Sequence, residues 1–135
     1  MREPRASSTQ ETQLLYGHSA EVLATDGDWL QVRGTDGYEG WTHSGYTAPG
    51  DAALALQWAW DIDGELSMGC SVRDSSGVTL DLPLGAVVGS GHCIAGRAMD
   101  GGRRRETFPP TADAIVASAT ALIQGTYYKW GGVPP

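Results

Sequence analysis

Two Asp-Gly pairs, Asp26-Gly27 and Asp36-Gly37, set the scale of any fold this chain can adopt. Glycine accepts the positive φ that tight hairpin turns require, and an aspartate beside it can bond back to the turn backbone. Around these pairs lie three short β-like runs: Ala20 to Thr25 (AEVLAT), Trp29 to Arg33 (WLQVR), and the Tyr38-Glu39-Gly40-Trp41 that alternates large residues across a pleat. Strands this short, with turns this close together, are the pattern of a small β-barrel.

The chain has 135 residues, enough for one ordinary domain or two very small ones. Domains of about 50 residues bury little of their surface and lean on their neighbours, so a tandem pair should pack together. The formal net charge of -7 argues against a nucleic-acid module, which would carry a basic face, and against electrostatic docking on anionic lipid. The 19 glycines and seven prolines, without a long apolar run, describe a loop-rich globular protein with no membrane span. The opening MREPRASSTQ has no apolar core of a secretory signal, and Met1 reads as an artificial or truncated start.

Two cysteines, Cys70 and Cys93, and three histidines, His18, His43 and His92, are present, with no Cys-x-x-Cys and no His-Glu-x-x-His. The spacing supports no metal site and no cofactor. The two cysteines read as buried free thiols, with a disulfide left open because spacing alone cannot supply its geometry.

From Leu14 to Tyr46 the order LLYGHSAEVLATDGDWLQVRGTDGYEGWTHSGY resembles a bacterial SH3 (SH3b) domain, in which a GDWxxVR strand is followed by a DGYxGW strand. It is most similar to the first SH3b domain of NlpC/P60 cysteine peptidases, which cut peptidoglycan peptides. Val72-Arg73-Asp74 and Leu82-Pro83-Leu84-Gly85-Ala86-Val87-Val88 resemble the opening of a second SH3b domain. That second stretch departs from the pattern later, where Asp100-Gly101-Gly102-Arg103-Arg104-Arg105 stands in place of a distal hairpin and reads as a solvated turn.

Tyr46 to Asp63 reads as a linker leading into the first strand of the next unit, with Trp58 and Trp60 on one strand face, although the run Ala52 to Trp60 is itself ambiguous between helix and strand. After Phe108-Pro109-Pro110, Thr111 is a good N-cap and Asp113 suits the positive end of a helix. Ala112, Ile115, Val116, Ala119, Leu122 and Ile123 follow an amphipathic spacing that Gly125 can end. Tyr127 to Gly132 (YYKWGG) resembles the entry to an NlpC/P60 catalytic domain, in which the nucleophilic Cys would fall a few residues beyond Pro135.

The fold expected is therefore all-β: two tandem small SH3-like β-barrels, then one helix that begins a truncated NlpC/P60 domain. The expected boundaries are 1–50 for the first SH3b domain, 51–65 for a linker, 66–108 for the second and 109–135 for the peptidase start. No catalytic residue is expected within the chain. Cys70 reads as preceding a short β-run and Cys93 as lying in a Gly-rich loop, so neither begins a helix that would lower its pKa. His92 beside Cys93 would point to the opposite face of a strand.

By resemblance, an acidic residue at an REP-like position and the Tyr of DGYxGW hold the free amino end of the substrate peptide. In this sequence these are Glu3, which Pro4 should hold extended, and Tyr38, and Tyr128 would line the pocket. A carboxylate and a phenol oxygen converging on an ammonium give charge-assisted hydrogen bonds and select for a free N-terminus.

The function implied is the recognition half of a hydrolase that cleaves the γ-D-glutamyl to diamino-acid bond of peptidoglycan stem peptides with a free N-terminal L-Ala. Such a role belongs in the bacterial envelope, or in the cytoplasm where wall peptides are recycled. The rival readings are a stand-alone module for wall peptide or glycan and an adaptor for Pro-rich peptides, which would need an exposed aromatic groove among Trp29, Tyr38 and Trp41.

Overall fold

The structure, a computed structural model, describes residues 1–58, 64–73, 76–88 and 93–126. The expectations placed on Trp60, His92 and the Tyr127–Gly132 motif with Tyr128 lie outside those residues. The described chain is mostly β, with two small three-stranded antiparallel sheets and a few helices. It divides into two compact units.

The first unit holds β1 (Ala20–Asp26), β2 (Trp29–Gly34) and β3 (Glu39–His43) in the order β1-β2-β3. Both Asp-Gly turns form as expected, with Gly27 at φ +55 and Gly37 at φ +81. The β1–β2 register slips between Val22 and Ala24, a bulge that twists the strand. The sheet gains a further pairing from the chain start, because the Trp41 amide donates to the Met1 carbonyl (2.7 Å) and the Met1 amine donates to the Trp41 carbonyl (2.8 Å). Val32 is the buried hydrophobic residue of this unit among the described residues, so its core is thin.

A short 3-10 turn, Ser44–Tyr46, follows β3, and the expected strand after it is replaced by helix α1 (Ala52–Trp58). Asp51 decides the matter locally, its carboxylate accepting the Leu54 amide (2.8 Å) and its carbonyl the Ala55 amide (2.9 Å). Trp58 therefore sits on a helix and not on a strand.

The second unit holds β4 (Leu66–Arg73), β5 (Thr79–Leu82) and β6 (Cys93–Met99), with β4 central in the order β5-β4-β6. Its core joins Cys70, Val72, Leu82, Ala86 and Val88. Leu15–Gly17 group with this unit: Leu15 packs on that core, and the Tyr16 carbonyl accepts the Val87 amide (3.0 Å). Burying Val72 and Val88 contributes about 1.5–3 kcal/mol each against exposure.

Ser67, with no solvent exposure, organises a bulge in β4. Its hydroxyl donates to the Leu82 carbonyl (2.9 Å) and accepts the amides of Gly69 and Cys70 (3.1 Å each). Gly69 takes φ +84 there, and Gly96 on β6 approaches so closely that a Cβ would lie 2.3 Å from the Gly69 oxygen.

Two expectations are corrected in this unit. Cys93 is not in a loop: it opens β6, and it is half-buried where Cys70, within β4, is buried. The arginine run is not a solvated turn but part of helix α2 (Gly101–Thr107). Asp100 caps it through the Arg103 amide (2.8 Å), and the Arg104 guanidinium donates to the carbonyls of Gly64 (2.5 Å) and Met99 (2.6 Å). Those contacts outweigh the poor helix propensity of Gly101 and Gly102.

Helix α3 (Ala112–Ile123) forms as expected, with Thr111 Oγ1 accepting the Ala114 amide (3.3 Å) and Gly125 at φ +85 just past its end. Its packing is slight. None of its residues is buried, and Ile115, Val116 and Ile123 are 59%, 65% and 60% exposed.

Candidate functional site

The Asp36-Gly37 turn is what presents Tyr38. Asp36 Oδ1 accepts the Tyr38 amide (3.0 Å), and the Gly34 and Tyr38 backbones close the loop (2.9 Å), leaving the phenol exposed at the start of β3. A Cβ on Gly37 would meet nothing within 4 Å, so this glycine is required for its φ and not for space.

The carboxylate facing Tyr38 belongs to Glu11. Tyr38 Oη lies 3.5 Å from Glu11 Oε2, while Arg2 engages the other oxygen, its Nε donating to Oε1 at 2.7 Å. The two oxygens are thus divided, one neutralised by a guanidinium and one turned toward the phenol. A separation of 3.5 Å is longer than a formed O–H···O bond. It lets an ammonium nitrogen sit about 2.8 Å from both oxygens, the distance of a charge-assisted hydrogen bond.

Glu3 is placed differently. The chain does not run out extended at this point but turns back on itself: the Arg5 amide donates to the Glu3 carbonyl (2.8 Å), the Glu3 amide to Ser8 Oγ (2.9 Å) and the Arg2 amide to the Thr9 carbonyl (3.3 Å). The Glu3 carboxylate pairs with Arg5 and is about half exposed. The structure brings Tyr38 together with Glu11 and Arg2, and it gives Glu3 the neighbouring loop.

The charge pattern continues on the same sheet. Arg33 bonds Glu39 (2.9 Å) and Glu21 (3.2 Å); the Glu39 hydrogen bond and charge push the guanidinium pKa up, desolvation opposes them, and the charge and hydrogen bond of Glu21 add less.

Residues 2–48 match the bacterial SH3 domain family. No curated protein matches the chain. The match begins at Arg2, so the loop that carries Arg2, Glu3 and Glu11 is part of the bacterial SH3 region and not a tail in front of it.

A second feature of the bacterial SH3 region is aromatic. Trp29 and His43 meet edge to face at 5.3 Å, and His43 meets Tyr46 at 6.1 Å, beside a recess of about 450 Å³ that Met1, Ala6 and Gly45 also line. His43 Nδ1 accepts the Gly45 amide (3.1 Å), which leaves Nε2 as the ring's N–H in this tautomer. Tyr46, treated from sequence only as a boundary, is 90% exposed. Trp29 and Trp41 are partly buried, in keeping with a packing role.

No group of three or more His, Cys, Asp or Glu able to hold a metal occurs among the described residues, and no helix there is long and apolar enough to cross a membrane.

Proposed function

We propose that the bacterial SH3 region recognises cell-wall peptide, and that it does so by capturing the free amino end of a peptidoglycan stem peptide between Tyr38 and a carboxylate of the N-terminal loop. The observation that carries this reading is the divided Glu11 carboxylate, with Oε1 held by Arg2 and Oε2 facing the Tyr38 hydroxyl. Glu3, about half exposed on the same loop, serves as a second acidic group for the peptide once it gives up its pairing with Arg5. An N-acyl group in place of the ammonium would carry no charge and would leave Glu11 Oε2 unpaired.

In the finer form of this reading, the chain is the front of an NlpC/P60-type cysteine endopeptidase that cleaves the γ-D-glutamyl to diamino-acid bond. The YYKWGG sequence supports it, with Tyr128 lining the pocket and a separate papain-like segment supplying the thiolate. The test is a calorimetric titration of the chain with L-Ala-γ-D-Glu-diamino acid and with its N-acetylated form. Binding of the free peptide at least tenfold tighter than the acetylated one supports the reading, and equal affinity refutes it.

A second reading has its own observation. The Tyr46 ring beside the Trp29–His43 recess suits an apolar or ring-bearing ligand such as a glycan or a Pro-rich segment. Under it the module binds without any preference for a free amine.

A further inference from the structure

The bulge in β6 does more than bend the strand. Down the β4–β6 ladder the register passes from Cys70–Gly96 and Ser71–Ala95 directly to Val72–Cys93, which skips Ile94. Ile94 is turned out and is 48% exposed. Cys93 stands opposite Val72, a core residue that shares a strand face with Cys70 two positions away. Cys93 accordingly packs against the core cluster that contains Cys70. Without the skipped residue, the position opposite Val72 would fall to Ile94, and the second thiol would face away.

We infer that Cys70 and Cys93 form a cross-strand dithiol which a low-molecular-weight disulfide converts to an internal disulfide linking β4 to β6. The half-buried Cys93 is the thiol that solvent reaches, so its thiolate attacks one sulfur of the reagent RSSR and expels RS⁻. The Cys70 thiolate then attacks the Cys93 sulfur of the mixed disulfide and expels the second RS⁻. One S–S bond is broken and one is formed. The two protons lost by the protein thiols are taken by the two released thiolates, the protein dithiol is oxidised and RSSR is reduced to two RSH. Both groups are free thiols in the structure, with Cys93 Sγ directed at the Ala95 carbonyl (3.2 Å). Partial burial and the neighbouring Cys70 push the Cys93 pKa up, which makes the first attack slow at neutral pH and faster as pH rises.

The experiment is incubation of the full chain with glutathione disulfide under native conditions, followed by intact mass and a non-reducing peptide map. The expected result is loss of two hydrogens with a Cys70–Cys93 linked peptide and a rise in Tm on the order of 10 °C that a reductant reverses. A stable glutathione adduct on Cys93 with Cys70 still free, a linkage between two chains, no reaction at all, or a lowered Tm would each overturn the inference. In Cys70→Ala the Cys93 adduct should persist instead of resolving. If that variant fails to fold, Cys93→Ser serves in its place: it is expected to take up no glutathione while native, and an adduct on its Cys70 contradicts the assigned order of attack.

Discussion

Tyr38 Oη and Glu11 Oε2 lie 3.5 Å apart across 27 residues of sequence, with Arg2 holding the other carboxylate oxygen. Tyr38 and Glu11 have separable parts in the proposed capture. Tyr38→Phe removes one acceptor and should weaken binding of the free-amine peptide several-fold, while Glu11→Gln removes the charge and should weaken it by about 1.5–3 kcal/mol, the range of a hydrogen bond to a charged group. Neither change should alter affinity for the N-acetylated peptide. Calorimetry on the two variants with the two peptides reads all four values, and a loss shared equally by both peptides would point to damaged folding.

Ser67 offers a prediction on stability. Its buried hydroxyl makes three hydrogen bonds, two of them to the amides of the β4 bulge. Ser67→Ala leaves those amides and the Leu82 carbonyl without this partner and should lower stability by about 1–3 kcal/mol. Chemical denaturation of the variant checks it, and a change below about 0.5 kcal/mol would show that water replaces the hydroxyl freely.

The thiols predict a pH dependence. Cys93 has its pKa raised by partial burial, then by the charge of Cys70 and its hydrogen bond. A thiol harder to ionise in the folded state than in the unfolded one contributes stability that is fully present below the unfolded thiol pKa and is lost as pH rises through the folded value. Denaturation midpoints should therefore fall on the alkaline side of the ordinary thiol range, and Cys93→Ser should flatten that fall.

Helix α3 should be the least protected of the regular elements in the second unit, because it buries no residue. Hydrogen exchange is expected to be fast over Ala112–Ile123 and slow in β4. Thr111→Ala should raise the α3 rate by the loss of a cap worth about 1 kcal/mol and leave β4 unchanged. Uniform protection across both elements would contradict this ordering.

The features legible in sequence were those fixed within a few residues. Gly27 and Gly37 announced their turns, the β-like run Trp29 to Arg33 its strand, and Thr111 with Gly125 the limits of α3. Features set by distant contacts were not. The run after Ala52 has no polar face to phase it, so the Asp51 cap decided between helix and strand. Gly101 and Gly102 argue against α2, and the Asp100 cap together with the reach of Arg104 to the Met99 carbonyl and to the Gly64 carbonyl 40 residues away makes up for them.

The site divides in the same way. The exposed position of Tyr38 follows from the Asp36-Gly37 turn beside it, and its part in capture is proposed from the resemblance. Glu11 was not legible, because nothing in its local sequence says that the N-terminal loop folds back toward the Asp36-Gly37 turn, with Met1 paired to Trp41 and Arg2 directed at Glu11. Tyr46 carries no local signal of its exposure, which depends on the 3-10 turn that His43 caps. Ile94 and Cys93 exchange faces through a bulge that neither residue specifies by itself.

The most direct measurement is a two-dimensional amide NMR titration of the labelled chain with L-Ala-γ-D-Glu-diamino acid. Shift changes centred on Arg2, Glu11 and Asp36–Glu39 are expected, and they should vanish when the peptide is N-acetylated. Changes centred on Trp29, His43 and Tyr46, or the same changes with the acetylated peptide, would contradict the proposed capture and place recognition at the aromatic recess instead.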